Sequence, residues 1–455
     1  MNKVKKTLKI LALVLSLCMV IGCFAACDNT ADDETLTDGN VVSDGNVVSD
    51  GNVVSDGNVA TEGNVSDGNA TAGDAADDVA LDYSDIKVGF IFLHAPTDST
   101  YDKNFMNAVE EVQANLGLSD DQVIVMSDIA ESEACYEAAM DLVDQGCNIV
   151  FGDSFGHEDY LIQAALECQD VQFCHATGDS ALAEDIPNFH NAFAHIYEGR
   201  YVAGIVAGMK LNEMIENGEF TAEEAKMGYV GAFPYAEVIS GYTSFYLGAK
   251  SVCPSVTMEV RYTNSWFDID AERTSAIALI ESGCKLISQH ADSEGAPKAC
   301  EEYGIPNVAY NVNTINMGPT TALISSKINW APYMTYMIDC VVKGEAIDTD
   351  WCGGFNTGSV ELTELNTAVA AEGTQEAIDA AIEAFKNGEL HVYDTATFTY
   401  NGEALADDFQ ADVVPDAAYT ADTDVVVDGY FAESTFRSAP YFSIIIDGIT
   451  AVVEG

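Results

Sequence analysis

Short apolar segments alternate with segments of helical periodicity from Tyr83 onward, and this alternation constrains the fold more than any other sequence feature. One helical segment carries Phe105, Val109, Val112 and Leu116 at the spacing of a single helix face. Strands that alternate with helices build parallel sheets with helices on both faces. Because about 370 residues follow this pattern, more than one typical domain, we predict an α/β fold with two parallel-sheet lobes.

The segments expected to form strands are short and rich in apolar residues. They are Ile86–Leu93, Val123–Met126, Asn148–Gly152, Val171–His175, Met227–Phe233, Met258–Tyr262, Leu286–His290, Val308–Asn311 and Ala322–Ile328. After Asn387 the pattern changes to short β-like pieces and acidic loops, whose role the sequence does not indicate.

The N-terminus has the composition of an export signal. Four lysines and no acid precede or flank the apolar segment Ile10–Ile21, which is too short for a good membrane-spanning helix. Cys27 follows Phe24-Ala25-Ala26, and Cys23 follows Val20-Ile21-Gly22, so either cysteine resembles the lipidated residue of a bacterial lipoprotein. We predict a signal peptide at residues 1–26 and lipidation at Cys27, with Cys23 as the alternative, which would anchor the protein on the extracytoplasmic face of the cell membrane.

Residues 27–82 are dominated by Asp-Gly-Asn units, which begin as a six-residue repeat at Asp38. Asp, Gly and Asn favour turns, and two valines per unit bury too little surface to offset chain entropy. The six-residue period also differs from the nonapeptide repeat of calcium-binding β-rolls. We therefore predict a disordered acidic tether.

The charge of the chain excludes one class of function. Lys and Arg number 18 against 74 Asp and Glu, for a formal net charge of −56. Nucleic-acid binding requires a basic patch, so no nucleic-acid partner is expected.

Sequence motifs give no positive sign of catalysis. The chain lacks a P-loop, a GxGxxG after its first strand, HExxH and GxSxG. Its cysteines form no CxxC pair and no zinc-type cluster with histidine. We expect a protein that is not an enzyme and needs no cofactor or metal.

Polar and aromatic residues follow the predicted strands, where parallel α/β sheets bind their ligands. Aromatic rings stack on flat ligands, while carboxylates and amides bond to ligand edges, so this composition suits a flat, uncharged ligand. The candidate ligand-binding residues are Asp102, Asn104, Phe105, Phe155, His175, Thr177, Trp266, His290, Asp292, Asn311, Asn313 and Trp330. Structural roles remain open for several of them: core packing for Phe105 and Trp330, helix capping for Asp102, turns for Asn311 and Asn313, and strand-end packing for His175 and His290.

Several motifs resemble the basic membrane protein (BMP, PnrA-like) family, the substrate-binding lipoproteins of ABC transporters. Asp102-Lys103-Asn104-Phe105 resembles its Asp-Lys-Ser-Phe-Asn signature, and Glu198-Gly199-Arg200-Tyr201-Val202-Ala203-Gly204 resembles its Glu-Gly-x-Tyr-Leu-Ala-Gly helix. The similarity spans roughly Ile86–Tyr400. It implies a type I periplasmic-binding-protein fold, whose two Rossmann-like lobes are joined by a hinge and close on a purine delivered to a permease.

Within that resemblance we expect lobe I at residues 83–193 plus 313–400 and lobe II at 194–312. Residues 401–455 would form an acidic C-terminal extension packing on the lobes, and the protein would be a monomer. Phe105 and Trp266 are expected to sandwich the purine ring from opposite lobes, with Asp102 and Asn311 at its edges.

Other details resemble the purine-nucleobase (adenine-type) branch of the family. These are His175-Ala176-Thr177-Gly178, Gln289-His290-Ala291-Asp292 and Trp351-Cys352-Gly353-Gly354, among others. Nucleoside binders of the family carry a ribose-contacting aspartate after the fourth strand, where Thr177-Gly178 stands here, and a ribose-contacting lysine near the last helix, from which Lys327 is offset by one residue. The resemblance therefore favours a free base over a nucleoside. The alternatives are a sugar-binding receptor of the same fold, a surface nucleosidase-type hydrolase and a signalling co-receptor.

Overall fold

The computed structural model describes residues 81–415 and 420–452. The predicted signal peptide (1–26), with Cys23 and Cys27, lies outside these residues, as does the predicted tether (27–82) apart from its last two positions. Among the described residues, no helix combines the length and the apolar character needed to cross a membrane.

The first sheet has six strands in the order β2-β1-β3-β4-β5-β11, all paired in parallel. Its strands are β1 (Val88–Ile91), β2 (Val123–Met126), β3 (Ile149–Gly152), β4 (Gln172–Ala176), β5 (Phe189–Ala194) and β11 (Asp350–Gly353). The helices of this lobe are α1 (Thr100–Leu116), α2 (Glu133–Asp144), α3 (Glu158–Glu167), α4 (Ala181–Glu184) and α9 (Ala331–Lys343). A short 3₁₀ helix, Phe155–His157, follows β3. We call this unit lobe I.

The second sheet has seven strands in the order β17-β7-β6-β8-β9-β10-β12, and only β10 and β12 pair antiparallel. Its strands are β6 (Lys226–Gly231), β7 (Thr257–Tyr262), β8 (Leu286–His290), β9 (Asn307–Tyr310), β10 (Ala322–Ile328), β12 (Val360–Leu362) and β17 (Ile449–Val452). Its helices are α5 (Ile196–Glu216), α6 (Ala236–Val252), α7 (Ile269–Glu281), α8 (Gly295–Tyr303) and α10 (Thr374–Lys386), with a 3₁₀ helix at Ala222–Glu224. We call this unit lobe II.

Both lobes repeat one strand order, 2-1-3-4-5 when each lobe is counted from its own first strand. In lobe I the order reverses between β1 and β3, and in lobe II between β6 and β8. Open parallel sheets bind ligands at such reversals, beyond the carboxyl ends of the strands. The predicted fold class is confirmed, and each lobe contributes one such binding edge.

The chain crosses between the lobes after β5, after β10 and after β11. This differs from the predicted boundary, which assigns residues 313–400 to lobe I, because β10, β12 and α10 belong to lobe II. Helical and strand periodicity identify an element, but the sheet it joins depends on hydrogen bonds to strands far away in the sequence. Only α9 and β11 of that segment return to lobe I.

The C-terminal extension contacts both lobes. Its strand β17 pairs in parallel with β7 of lobe II. On the other side, the Ser438 amide donates to Asp350 Oδ2 in lobe I at 2.7 Å, and Arg437 Nη1 lies 3.2 Å from Asp179 Oδ2. Its remaining strands are short pairs: β13 (Gln410–Ala411) with β14 (Thr423–Asp424), and β15 (Val426–Val427) with β16 (Tyr430–Phe431).

Local signals fix the start and end of α1, the helix that carries the predicted signature. Ser99 Oγ accepts a hydrogen bond from the Asp102 amide at the first turn, and Gly117 ends the helix in the left-handed conformation at φ 67°. The cap therefore holds Tyr101 and Asp102 at the end of the helix nearest β1.

Candidate functional site

A cleft lies where the two strand-order reversals face each other. Lobe I contributes the loops after β1, β3 and β4 together with the first turn of α1, and lobe II contributes the segments after β6, β7 and β8 and the end of β9. The lining residues are Leu93, His94, Tyr101, Asp102, Ser154, Phe155, Thr177, Glu237, Trp266, His290, Asp292 and Tyr310. We call this space the inner cleft.

The lobes touch across the inner cleft, so the structure is in a closed conformation. The Thr100 amide and hydroxyl both donate to the Asp292 carbonyl oxygen, at 2.8 and 3.0 Å. The rings of Phe155 and Tyr235 also approach from opposite lobes, with centroids 6.2 Å apart.

Two side chains of α1 are held by the loops around them. The Tyr101 hydroxyl donates to the Asp153 carbonyl oxygen at 2.7 Å, and Asp102 Oδ1 accepts from the His94 amide at 2.8 Å. These bonds connect the first turn of α1 to the strand-order reversal of lobe I. The cleft wall is thereby fixed in position before any ligand enters.

A second carboxyl group lies directly behind Asp102. Asp153 is fully buried, and its Oδ1 accepts from the Leu93 amide at 3.1 Å. Burial raises the pKa of Asp153 well above its usual range, and the neighbouring Asp102 carboxylate raises it further. Burial therefore disfavours the charged form of Asp153, and Asp102 is the member of this pair that lines the cleft.

Lobe II brings further acids to the opposite wall. Burial, followed by the charges of Glu272, Asp102 and Glu237, raises the pKa of Asp292 well above its usual range. Glu272 lies behind Asp292, where it accepts from the Ser293 amide at 3.1 Å, and burial raises the pKa of Glu272 to about 7. None of the lining residues is Lys or Arg, so an anionic ligand would meet only acidic and neutral groups.

His290 is held as a neutral hydrogen-bonding group. Burial and the nearby Arg200 guanidinium lower the pKa of His290, while its Nε2 lies 3.1 Å from Glu237 Oε1. A neutral imidazole with Nε2–H donates to Glu237, which fixes the orientation of both side chains in the cleft.

Arg200 supports the cleft from behind. It is 1% exposed, its Nη1 donates to the Gln289 carbonyl oxygen at 2.8 Å, and its guanidinium lies 3.6 Å from the centre of the Tyr310 ring. A cation stacked on a buried ring fixes that ring. Arg200 thus connects helix α5 to the lining residue Tyr310.

Trp266 is the aromatic centre of the lobe II wall. Its ring lies 5.2 Å from Phe233 and 6.1 Å from Tyr235, and the side chain is only partly buried. Tyr101 provides an aromatic ring on the lobe I wall. A cleft with aromatic rings on both walls and carboxylates among them suits a flat ligand with N–H or O–H donors at its edges.

Six of the predicted site residues line the inner cleft: Asp102, Phe155, Thr177, Trp266, His290 and Asp292. The sandwich predicted between Phe105 and Trp266 is wrong, as is ligand contact by Trp330. Phe105 has no exposed surface and stacks on Trp330 with centroids 4.6 Å apart, inside the core of lobe I. Phe105 lies on the core-facing side of α1 and Trp330 is the N-cap residue of α9, so the core-packing alternative is the observed one.

The other four predicted residues are not among the lining residues. Asn104 Nδ2 donates to the Ile328 carbonyl oxygen at 2.8 Å, and His175 Nε2 lies 2.7 Å from the Ser154 carbonyl oxygen. Asn311 Nδ2 lies 3.4 Å from Asp292 Oδ1, so it orients a lining residue from behind. Asn313 is exposed, and its Oδ1 accepts from the Ile315 amide in a turn.

The prediction missed six lining residues: Leu93, His94, Tyr101, Ser154, Glu237 and Tyr310. The rule of strand carboxyl ends identifies most of them. Leu93 and His94 follow β1, Tyr310 ends β9, and Glu237 lies in the first turn of the helix after β6. The segment after β6, which contains Glu237, supplies none of the residues predicted from the sequence.

Within residues 81–415 and 420–452, no group of three or more His, Cys, Asp and Glu side chains is arranged to hold a metal ion.

Comparison with known sequences gives consistent results. A family model described as "ABC transporter substrate-binding protein PnrA-like" matches residues 86–396. A purine-binding protein of Brucella abortus is 30% identical over 309 residues, which cover 68% of this chain and 83% of that protein. A putative ABC transporter glucose-binding protein of Haloferax volcanii is 33% identical over 263 residues, covering 58% of this chain and 62% of that protein.

Solved structures share the fold at lower sequence identity. A solute-binding protein of an ABC transporter from Conexibacter woesei superimposes with a TM-score of 0.55 at 20% identity, over 67% of this chain and 98% of that one. Another, from Aeropyrum pernix, gives a TM-score of 0.54 at 15% identity, over 67% and 92%. These structures support the two-lobed fold and leave the ligand to be argued from the cleft.

Proposed function

This chain belongs to the PnrA-like family of ABC transporter substrate-binding proteins, and we propose that it captures a purine base or nucleoside and delivers it to a membrane permease. The family consists of extracytoplasmic solute-binding proteins rather than enzymes. Hinge closure of the two lobes around the ligand would provide the change that the permease recognises.

One observation carries the proposal: Tyr101 and Trp266 place aromatic rings on opposite walls of a closed cleft whose other groups include three carboxyl groups, those of Asp102, Glu237 and Asp292. A purine offers two flat faces for the rings and N–H donors at its edges for Asp102 and Glu237. The absence of Lys and Arg from the lining argues against a phosphorylated nucleotide. The purine-binding relative of Brucella abortus supports the same ligand class.

Within this class, two residues favour the free base. Thr177 lines the cleft at the position where nucleoside binders of the family carry an aspartate. Lys327, which lies close to the family's ribose-contacting lysine, is in an ion pair with Glu361 at 2.8 Å and is not among the lining residues. The cleft therefore lacks the aspartate and the lysine that would contact ribose.

The proposal includes a membrane anchor and a monomeric state. The basic and apolar N-terminal segment followed by Cys27, or alternatively Cys23, supports lipidation, and the Asp-Gly-Asn segment would tether the lobes to the lipid. Mass spectrometry of the N-terminal peptide from membranes would test this, since an unmodified cysteine at both positions contradicts the anchor.

A sugar ligand is the second candidate, and the glucose-binding relative of Haloferax volcanii favours it. Aromatic rings stack on pyranose faces, and carboxylates accept hydrogen bonds from sugar hydroxyls, so the same wall chemistry suits either ligand.

A thermal-unfolding panel with adenine, hypoxanthine, adenosine, inosine, ribose and glucose separates these candidates. A ligand at about a thousand times its Kd stabilises the protein by about 4 kcal/mol, which corresponds to a shift of about 5 °C for a protein of this size. We expect the largest shift with a purine base. A shift with sugars alone would contradict the purine proposal.

A further inference from the structure

A second, larger space of about 430 Å³ opens beside the inner cleft. Its walls come from both lobes and from the C-terminal extension, which contributes Arg437, Ala439, Pro440, Tyr441 and Ser443. We call this space the outer chamber.

The outer chamber adjoins the inner cleft. Four residues line both spaces: Phe155, Thr177, Glu237 and Trp266. A ligand stacked on Trp266 would therefore have one edge directed toward the outer chamber. A substituent on that edge could extend into the chamber while the ring remains between the lobes.

Aromatic and apolar groups dominate the outer chamber. Phe155 and Tyr235 are 42% and 47% exposed although both are large aromatic residues, and the buried residues Pro440 and Tyr441 of the extension also line the chamber. Exposed aromatic surface at the mouth of a cleft is typical of a binding site. Such a wall binds apolar or aromatic groups by burial and ring stacking.

The wall of the chamber holds an ion pair, together with the carboxyl groups of Glu237 and Asp412. Arg437 forms an ion pair with Asp179, and its guanidinium also donates to the carbonyl oxygens of Val413, Ala439 and Pro440. Because its N–H groups already bond to protein oxygen atoms, Arg437 is poorly placed to bind a ligand phosphate. It holds the extension against lobe I instead.

We propose that the outer chamber is a second subsite, which binds an apolar or aromatic substituent carried by the purine in the inner cleft. The substrate class is then a purine with a bulky, uncharged substituent rather than an unmodified base. The subsite depends on the C-terminal extension, which lies beyond residue 396, where the matched family region ends. This inference rests on the proposed purine-binding function.

The test compares adenine with 6-benzylaminopurine and 9-benzyladenine by titration calorimetry, and includes adenosine as a second unsubstituted reference. Ser443→Trp fills the chamber from an exposed loop position, so it leaves the core intact. Ile445→Trp is the matched control, because Ile445 is 40% exposed on the same loop and does not line the chamber.

We expect at least one benzylated purine to bind the wild-type protein as tightly as adenine or more tightly. Ser443→Trp should weaken that binding by about 10-fold or more and change the affinity for adenine by less than about 2-fold, while Ile445→Trp affects neither. Binding of the unsubstituted purines, with both benzylated purines weakened by more than about 10-fold, would overturn the subsite alone. An unchanged affinity of Ser443→Trp for the benzylated purine would also overturn it. Failure of all four purines would overturn the proposed function and the subsite together.

Discussion

Tyr101 and Phe105 lie one turn apart on α1, yet they belong to two different aromatic regions of the molecule. Phe105 is fully buried, with Trp330 at 4.6 Å and Phe151 at 5.8 Å, and this group forms the core of lobe I. Tyr101 lines the inner cleft, whose opposite wall carries Trp266. The two regions meet, because the Tyr101 and Phe105 rings are only 4.9 Å apart.

Burial of the side chain therefore distinguishes a core ring from a ligand-facing ring more reliably than its position in the sequence does. Both Phe105 and Tyr101 follow the first predicted strand, and both belong to or adjoin the recognised signature. The core region should control the free energy of unfolding, and the cleft region should control ligand affinity.

Truncation of the core ring should have the largest effect. Trp330→Ala leaves a cavity against Phe105 and Phe151 and should lower the free energy of unfolding by about 3–5 kcal/mol, measured by urea denaturation. Tyr303→Ala, at a ring that is 44% exposed, is the control and should change it by less than about 0.5 kcal/mol. Equal effects for the two variants would contradict the assignment of Trp330 to the core.

Unlike the core, the cleft region carries buried acids. The free energy of unfolding should therefore depend on pH through the titration of these acids. The pKa of Glu272 is raised from 4.5 to about 7 in the folded state. The stability that protonated Glu272 contributes is therefore fully present below pH 4.5 and is lost as the pH rises through about 7.

Glu272→Gln should consequently gain about 1–3 kcal/mol relative to wild type between pH 5 and pH 8. Urea denaturation of both proteins at the two pH values measures this difference. Glu433, whose pKa is also raised to about 7 by burial, leaves a residual pH dependence in the variant. An identical pH dependence in both proteins would refute the role of Glu272.

Truncation of the cleft ring should affect binding rather than stability. Trp266→Ala removes a stacking surface and should cost about 1–3 kcal/mol of binding free energy, seen by calorimetry with the purine that stabilises the protein most. Trp330→Phe, which keeps an aromatic ring in the core, should retain wild-type affinity. Comparable losses for both variants would remove the distinction between the regions.

The smallest effect is expected at the border between the cleft and the outer chamber. Phe155 is 42% exposed and contacts Tyr235 across the lobes, so Phe155→Ala should weaken purine binding by no more than about 1 kcal/mol. Small-angle scattering should also detect a smaller compaction on ligand addition, because one contact between the closed lobes is lost. A loss as large as that of Trp266→Ala would place Phe155 within the ring-binding wall.

The fold was predictable because periodicity is a local property. Segments such as Val123–Met126 and Leu286–His290 coincide with β2 and β8, since their apolar residues are contiguous in the sequence. The assignment of β10 to lobe II was not predictable in this way, because its hydrogen-bonding neighbour in the sheet is a property of the tertiary structure.

The site was predictable only in part, for a related reason. Residues in loops after strands, such as Trp266 and Asp292, were identified from their position. Phe105 and Trp330 were predicted to contact the ligand but pack in the core. Their sequence context does not separate the two roles, because core-facing and ligand-facing positions can both be aromatic. The support from Arg200 to Tyr310 was not predictable, since it joins helix α5 to a strand more than a hundred residues away.

Tryptophan fluorescence during purine titration tests the central claim most directly, because the chain has three tryptophans, at positions 266, 330 and 351. Trp→Phe variants at each position would be titrated with the purine that gives the largest thermal shift. If the ligand stacks on Trp266, ligand-induced quenching should disappear in Trp266→Phe and persist in Trp330→Phe and Trp351→Phe. Quenching that persists in Trp266→Phe and disappears in Trp330→Phe would contradict the account.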